Sequence, residues 1–184
     1  MANQVEIELK FKLDQPMKDF LAKIGVKTER VYQKTVMFDN EQGLMQITNG
    51  RIRLRQHGNE VSLSYKLPIE SKIVKKEIEY ETAIDTWEIG EKLLLAMGFH
   101  PTTSYEKYRT TFKHSEVKVE IDEYPFATFV EIEGEENRIK DVAIELGFNL
   151  KDALTEACDG LFLRWRKERN LPPKPHMLFE DYNK

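Results

Sequence analysis

At 184 residues the chain is long enough for one sizeable hydrophobic core. Its 32 acidic and 28 basic residues leave a net charge of −4, which excludes the chain-wide basic field that attracts nucleic acid. The single cysteine, Cys158, excludes a disulfide framework and a cysteine metal cluster, and no apolar run approaches the ~18 residues of a membrane helix.

A lone cysteine fits a reducing, cytoplasmic setting, and a first strand beginning within a few residues leaves no room for a signal peptide. That first strand, 5–11, alternates without a fault: Val5, Ile7, Leu9 and Phe11 on one side, Glu6, Glu8, Lys10 and Lys12 on the other. Glu6 and Glu8 therefore point the same way, roughly 7 Å apart. Asp14 is expected to cap a short helix with Pro16 in its first turn and Phe20, Leu21 and Ile24 on its apolar side, stopped by Gly25. A second strand is expected from Thr28 to Phe38, then a loop over 40–43. Arg51, Arg53 and Arg55 share a face of the third strand, His57-Gly58-Asn59 forms a solvated turn, and a partner strand runs from Val61 to Leu67 with Pro68 ending it.

A fifth strand, 75–81, carries Lys75, Glu77, Glu79 and Glu81 in one row. Asp85 and Glu88 suggest a capping box for a helix with an apolar stripe of Ile89, Leu93, Leu94 and Met97, ended by Gly98. The sixth strand, 105–112, sets Lys107 and Arg109 against Tyr108 and Phe112. In the seventh, Lys118, Glu120 and Asp122 alternate with Val117, Val119 and Ile121. Tyr124-Pro125 breaks the run before an eighth strand, 128–135, with Glu131 and Glu133 opposite Val130 and Ile132. Helices are expected over 135–146, stopped by Gly147, and over 155–169, packing through Leu161, Phe162 and Trp165; the tail from Asn170 is too rich in proline to be helical. Cys158 reads as a small buried side chain, and Trp87 and Trp165 as packing groups.

Almost every strand thus has an ionic and an apolar row, and the signs are sorted by strand. Outward-facing rows gain little from such sorting. Inward-facing rows in a closed eight-stranded antiparallel barrel do gain, because buried charges must be paired or coordinated. A polyanion with a divalent metal would satisfy both sets at once, carboxylates taking the metal and cations the phosphates. The expected fold is α+β: a closed or nearly closed barrel over about 5–135, with amphipathic helices outside and C-terminal helices and tail over about 136–184, in one domain.

Glu6-x-Glu8-x-Lys10 resembles the signature of the CYTH superfamily, the triphosphate tunnel metalloenzymes. Arg53-x-Arg55, Lys66 before Pro68, Glu77 and Glu79, Glu106-Lys107-x-Arg109, and Asp122 followed by Phe129-Val130-Glu131-Ile132-Glu133 resemble later family segments in the same order. The resemblance implies that Glu6, Glu8, Glu131 and Glu133 bind Mg²⁺ or Mn²⁺, and that Lys10, Arg53, Arg55, Lys66, Lys75, Lys107 and Arg109 hold phosphate oxygens. Lys10, Glu77, Glu79 and Asp122 are the candidates for a catalytic role; which acid orients a lysine or activates a nucleophile is left open. Members often carry a Ser-Tyr pair before the last helix, where this chain has Ala157-Cys158-Asp159-Gly160. The implied activity is hydrolysis of a small triphosphate-bearing molecule. The alternatives are a class IV adenylyl cyclase and a non-catalytic polyphosphate-binding module. The expected partner is the substrate, with no nucleic acid or membrane; a homodimer is left open.

Overall fold

The computed structural model describes residues 4–24, 29–70 and 74–182. In chain order the elements are β1 (Gln4–Lys12), α1 (Met17–Ile24), β2 (Arg30–Asn40), α2 (Leu44–Thr48), β3 (Arg51–His57), β4 (Glu60–Ile69), β5 (Lys75–Ile84), α3 (Trp87–Ala96), β6 (Phe99–His114), β7 (Val117–Glu123), β8 (Thr128–Glu133), α4 (Glu136–Glu145), α5 (Cys158–Glu168) and β9 (His176–Met177). Strands β1 to β8 form a closed antiparallel barrel in the order β2-β3-β4-β5-β1-β8-β7-β6, with β6 pairing back onto β2. β1 joins the two halves: Gln4 to Glu8 pair with β5, and Glu8 to Lys12 pair with β8. The fold is α+β, with the five helices outside the barrel.

The apolar rows face outward and are covered in patches. Leu9, Phe11, Val119, Ile121, Val130 and Ile132 are buried beneath α1 and α4 through Phe20, Ile139, Val142 and Ala143. Phe38, Leu54 and Val61 lie under Leu94 of α3. Tyr105, Tyr124 and Phe129 belong instead to the inward rows, where they pack with Leu161 and Phe162 of α5 and Met177 of β9 at one end of the lumen. Each large apolar side chain so buried contributes about 1.5–3 kcal/mol, which lets the opposite face of every strand carry charge. No helix among the described residues is long and apolar enough to cross a membrane.

Several local expectations are corrected. β4 continues through Pro68, which pairs with Glu77. Beyond Lys66 the strand has left β3 behind, so Pro68 occupies an edge position where a missing donor is tolerated. The cap of α3 is Thr86, whose hydroxyl accepts from the Ile89 N–H, rather than Asp85. Asp14 pairs with Lys12, and Pro16 supplies the carbonyl that opens α1. Of the predicted apolar stripe of α3 only Leu94 faces the barrel, beside the buried Gly90, whereas Ile89, Leu93 and Met97 are 46%, 49% and 60% exposed. Gly90 permits this docking, since a Cβ there would meet Leu54 Cδ1 at 2.6 Å. β8 stops at Glu133, leaving the Glu135 carboxylate to cap α4. α5 starts at Cys158, later than expected. The short α2 and the tail strand β9, which pairs in parallel with Ser104 and Tyr105, carry too little periodicity to be read in advance. Gly25 as a helix stop and Thr28 as a strand start lie outside the described residues.

Candidate active site in the barrel lumen

Strand alternation delivers the ionic rows to the lumen, a cavity of about 600 Å³. From β1 come Glu6, Glu8 and Lys10; from β3, Arg53 and Arg55; from β4, Lys66; from β5, Lys75, Glu77 and Glu79; from β6, Lys107 and Arg109; from β8, Glu131 and Glu133. All these expected site residues line one space. Asp122 of β7 is the exception: it shares the inward row but is fully buried beneath the lumen lining, where it binds Lys107 at 2.6 Å and Arg109 at 2.6 Å.

The charges are divided around the circumference. Apart from Glu60 at the exposed rim and Asp159 of α5, the lumen carboxylates among the described residues lie on the contiguous strands β5, β1, β8 and β7. The lumen arginines Arg51, Arg53, Arg55 and Arg109 lie on the other arc, β6, β2, β3 and β4. Ion pairs run both within the acidic arc, through its lysines, and across the division. Lys10 holds Glu131 at 3.0 Å and Glu8 at 3.6 Å. Lys75 holds Glu8 at 3.0 Å and Glu77 at 2.8 Å. Lys66 bridges Glu6 and Glu79, and Arg53 takes Glu79 at 2.7 Å. Arg109 reaches Glu120 at 2.5 Å and Glu131 at 2.8 Å, Lys118 holds Glu133, and Arg51 holds Glu77. Among the described residues Arg55 is the lumen cation without a carboxylate partner; its Nε donates to Thr35 Oγ1 at 3.2 Å.

Burial and neighbours set the protonation states. Burial works to raise Glu77, but Lys75 and Arg51 outweigh it and bring it down to about 2. Glu131 is likewise held well below the usual carboxylate range by Lys10 and Arg109, against burial. Glu6 is raised, by burial and by its contact with Glu79, with Lys66 opposing. Burial also raises Glu133, with Lys118 opposing and repulsion from Glu6 and Glu120 adding to the rise. Lys107 falls to about 8 through burial and the charge of Arg109, against the pull of Asp122. At Glu6 and Glu133, therefore, burial together with neighbouring carboxylates outweighs the relief their lysines give.

Among the described residues no three His, Cys, Asp or Glu side chains converge as a ready metal cage. The donor chemistry nevertheless suits a hard divalent cation: carboxylate oxygens, crowded and partly buried.

Some lining residues were not singled out beforehand. Arg51, Glu81 and Lys118 stand in rows whose period already announces them. Tyr105, two residues before Lys107, and Tyr124, two after Asp122, follow the same phase. Gln33 on β2 gave no charge signal. Ala157 and Cys158 border the lumen because α5 begins there, which only the tertiary fold decides. His57 also lines the cavity, at the end of β3, rather than standing free in a turn. Glu106 points away from the lumen and ties the tail, accepting from Tyr32 Oη at 2.6 Å and the Phe179 N–H at 3.0 Å.

Comparison with known proteins adds ancestry to this geometry. A Methanocaldococcus jannaschii protein named as a candidate adenylate cyclase is 26% identical over 163 residues, covering 85% of this chain and 93% of its own. Among solved structures, a Pyrococcus horikoshii protein is 24% identical with a TM-score of 0.70, over 83% of this chain and 96% of the other. A candidate adenylate cyclase of Vibrio parahaemolyticus has a TM-score of 0.74 at 17% identity, covering 88% and 99%. A candidate adenylyl cyclase of Hippeastrum, described as having a dominant triphosphatase activity, has a TM-score of 0.59 at 20% identity, covering 92% and 90%. The family model of the CYTH domain matches residues 4–151, and the chain belongs to the CYTH family.

Proposed function

We propose that the protein is a divalent-metal-dependent hydrolase of small molecules bearing a triphosphate, such as a nucleoside triphosphate, thiamine triphosphate or inorganic tripolyphosphate. The observation that carries this reading is the divided lumen, with arginines on one arc and carboxylates on the other. Phosphoryl transfer mostly needs positioning and charge neutralisation. A chain of phosphates is the ligand that lets Arg53, Arg55, Arg109, Lys66, Lys75, Lys107 and Lys10 exchange carboxylate partners for phosphate oxygens. Arg55, with no carboxylate to give up, is the natural first contact.

Glu6, Glu8, Glu131 and Glu133 would hold Mg²⁺ or Mn²⁺. When bound, the ion would neutralise phosphate charge and polarise the attacked phosphorus. Lysines released from these carboxylates toward phosphate leave oxygen ligands for the cation, so metal and triphosphate support each other's binding. Asp122, buried beneath the lumen lining, acts by fixing Lys107 and Arg109. Glu77 and Glu79 orient Arg51, Arg53, Lys66 and Lys75, and either can accept the nucleophile's proton.

The second reading is a class IV adenylyl cyclase, in which a ribose hydroxyl attacks the innermost phosphate. It is favoured by the name of the Methanocaldococcus jannaschii relative. The activity described for the Hippeastrum protein supports hydrolysis. The deciding experiment incubates purified protein with ATP, tripolyphosphate and thiamine triphosphate plus Mg²⁺ or Mn²⁺ and resolves the products. Orthophosphate is expected. Cyclic AMP with pyrophosphate would establish the cyclase, and tight binding without turnover would establish a polyphosphate-binding module.

A further inference from the structure

Gln33 is an anomaly in the lumen wall. It sits on β2 in register with His57 of β3 and Lys107 of β6, lines the cavity, and is 2% exposed. Its Oε1 is buried and makes no hydrogen bond among the described residues. An unpaired buried carbonyl costs about 1–3 kcal/mol, and such groups in a working site call for an explanation. Lys107 Nζ donates to Asp122 at 2.6 Å and Arg55 Nε to Thr35 at 3.2 Å, and neither donates to this oxygen.

Phosphate does not resolve this. At neutral pH its oxygens are acceptors, able to take the amide N–H but unable to serve the carbonyl. A carbonyl needs a donor, such as a sugar hydroxyl or an amine. The wall beside Gln33 is also unlike the acidic arc: His57 and Ser62 are neutral polar groups, Arg55 and Lys107 stand beside them, and no carboxylate lies there inside the rim. That sector suits the uncharged end of a substrate whose phosphates lie against the arginines.

We propose that Gln33 is a specificity-determining residue that reads the non-phosphate end of the substrate, its Oε1 accepting a hydrogen bond from a hydroxyl or amino group. This rests on the triphosphate-tunnel reading and narrows it to substrates with an organic, donor-bearing end, of which a nucleoside is the fitting class. Bare tripolyphosphate would leave the carbonyl unpaired.

The test is calorimetric titration in EDTA, which withholds the metal that the proposed reaction needs. The ligands are ATP, 2′,3′-dideoxy-ATP, which lacks the ribose hydroxyls, ITP, which lacks the base amine, and tripolyphosphate. Wild-type protein should bind ATP about tenfold more tightly than at least one of the two depleted nucleotides, the size of one buried hydrogen bond. In Gln33→Met that difference should vanish while tripolyphosphate affinity stays unchanged. The variant should melt no lower than wild type, because an unpaired carbonyl has been removed; a lower melting temperature would mark a structural role and overturn the proposal. Equal affinity of wild type for ATP and both depleted nucleotides would overturn it without any variant. So would an equal loss for ATP and tripolyphosphate in Gln33→Met, or binding of tripolyphosphate without ATP. Binding of neither, in EDTA and again with Mg²⁺ present, would remove the tunnel reading itself, and this assignment with it.

Discussion

Asp122 and Glu6 show how differently two carboxylates on inward rows can act. Asp122 is fully buried and is the carboxylate partner of Lys107, itself 2% exposed, as well as a partner of Arg109. Removing one member of a buried charge network costs about 3–5 kcal/mol, because the partner charges stay behind. Asp122→Ala should therefore destabilise the fold by that order in urea denaturation. Glu6→Ala should abolish metal-dependent turnover while leaving the urea midpoint close to wild type, since Lys66 keeps Glu79; near-normal turnover would count against its metal role. Glu77 gives a pH signature. Its carboxyl titrates at about 2 when folded, against an ordinary 4.5, so its stabilisation is fully present above about pH 4.5 and is lost as pH falls through 2. The contribution is about 3 kcal/mol. Glu77→Gln should flatten the decline of stability between about pH 4.5 and pH 2, and an unchanged slope would contradict the pairing with Lys75 and Arg51. At this scale the sequence was informative wherever charge marked a row. Asp122 and Glu120 show one limit, because period 2 says which face a residue takes and not how deep it lies. Gln33 shows another, because a neutral side chain leaves no mark in a charge pattern.

Among elements, strands were more legible than helices for a physical reason. Alternation in β1, β3, β5 and β8 is local and survives any tertiary arrangement. The docking of α3 is not local. Its row of Ile89, Leu93 and Met97 is the more apolar one, yet the helix turns Gly90 and Leu94 inward because Leu54 and Ile84 offer a close fit there. Gly90→Val should destabilise by about 1–3 kcal/mol through overpacking against Leu54, read as a lowered melting temperature. A neutral outcome would mean that α3 sits farther from the barrel. The strand at Pro68 teaches the same lesson in reverse: a residue that ends a central strand is admitted where the neighbouring strand has already stopped.

For the whole molecule, the closed barrel was legible because signs sorted by strand have little reason to exist on an outer surface. The strand order was not. β1 lies between β5 and β8, and β2 closes on β6, pairings between distant parts of the chain that no local pattern encodes. The order is what turns mixed rows into two arcs of opposite character. The most direct test of that claim is calorimetric titration of diimidotriphosphate, a tripolyphosphate analogue whose P–N–P links resist hydrolysis, in the presence of Mg²⁺, with and without Arg53→Ala. The divided lumen predicts one site per chain, weakened about tenfold or more by the substitution, as expected for loss of a charge-assisted contact. Absence of binding, or an affinity indifferent to Arg53, would contradict it.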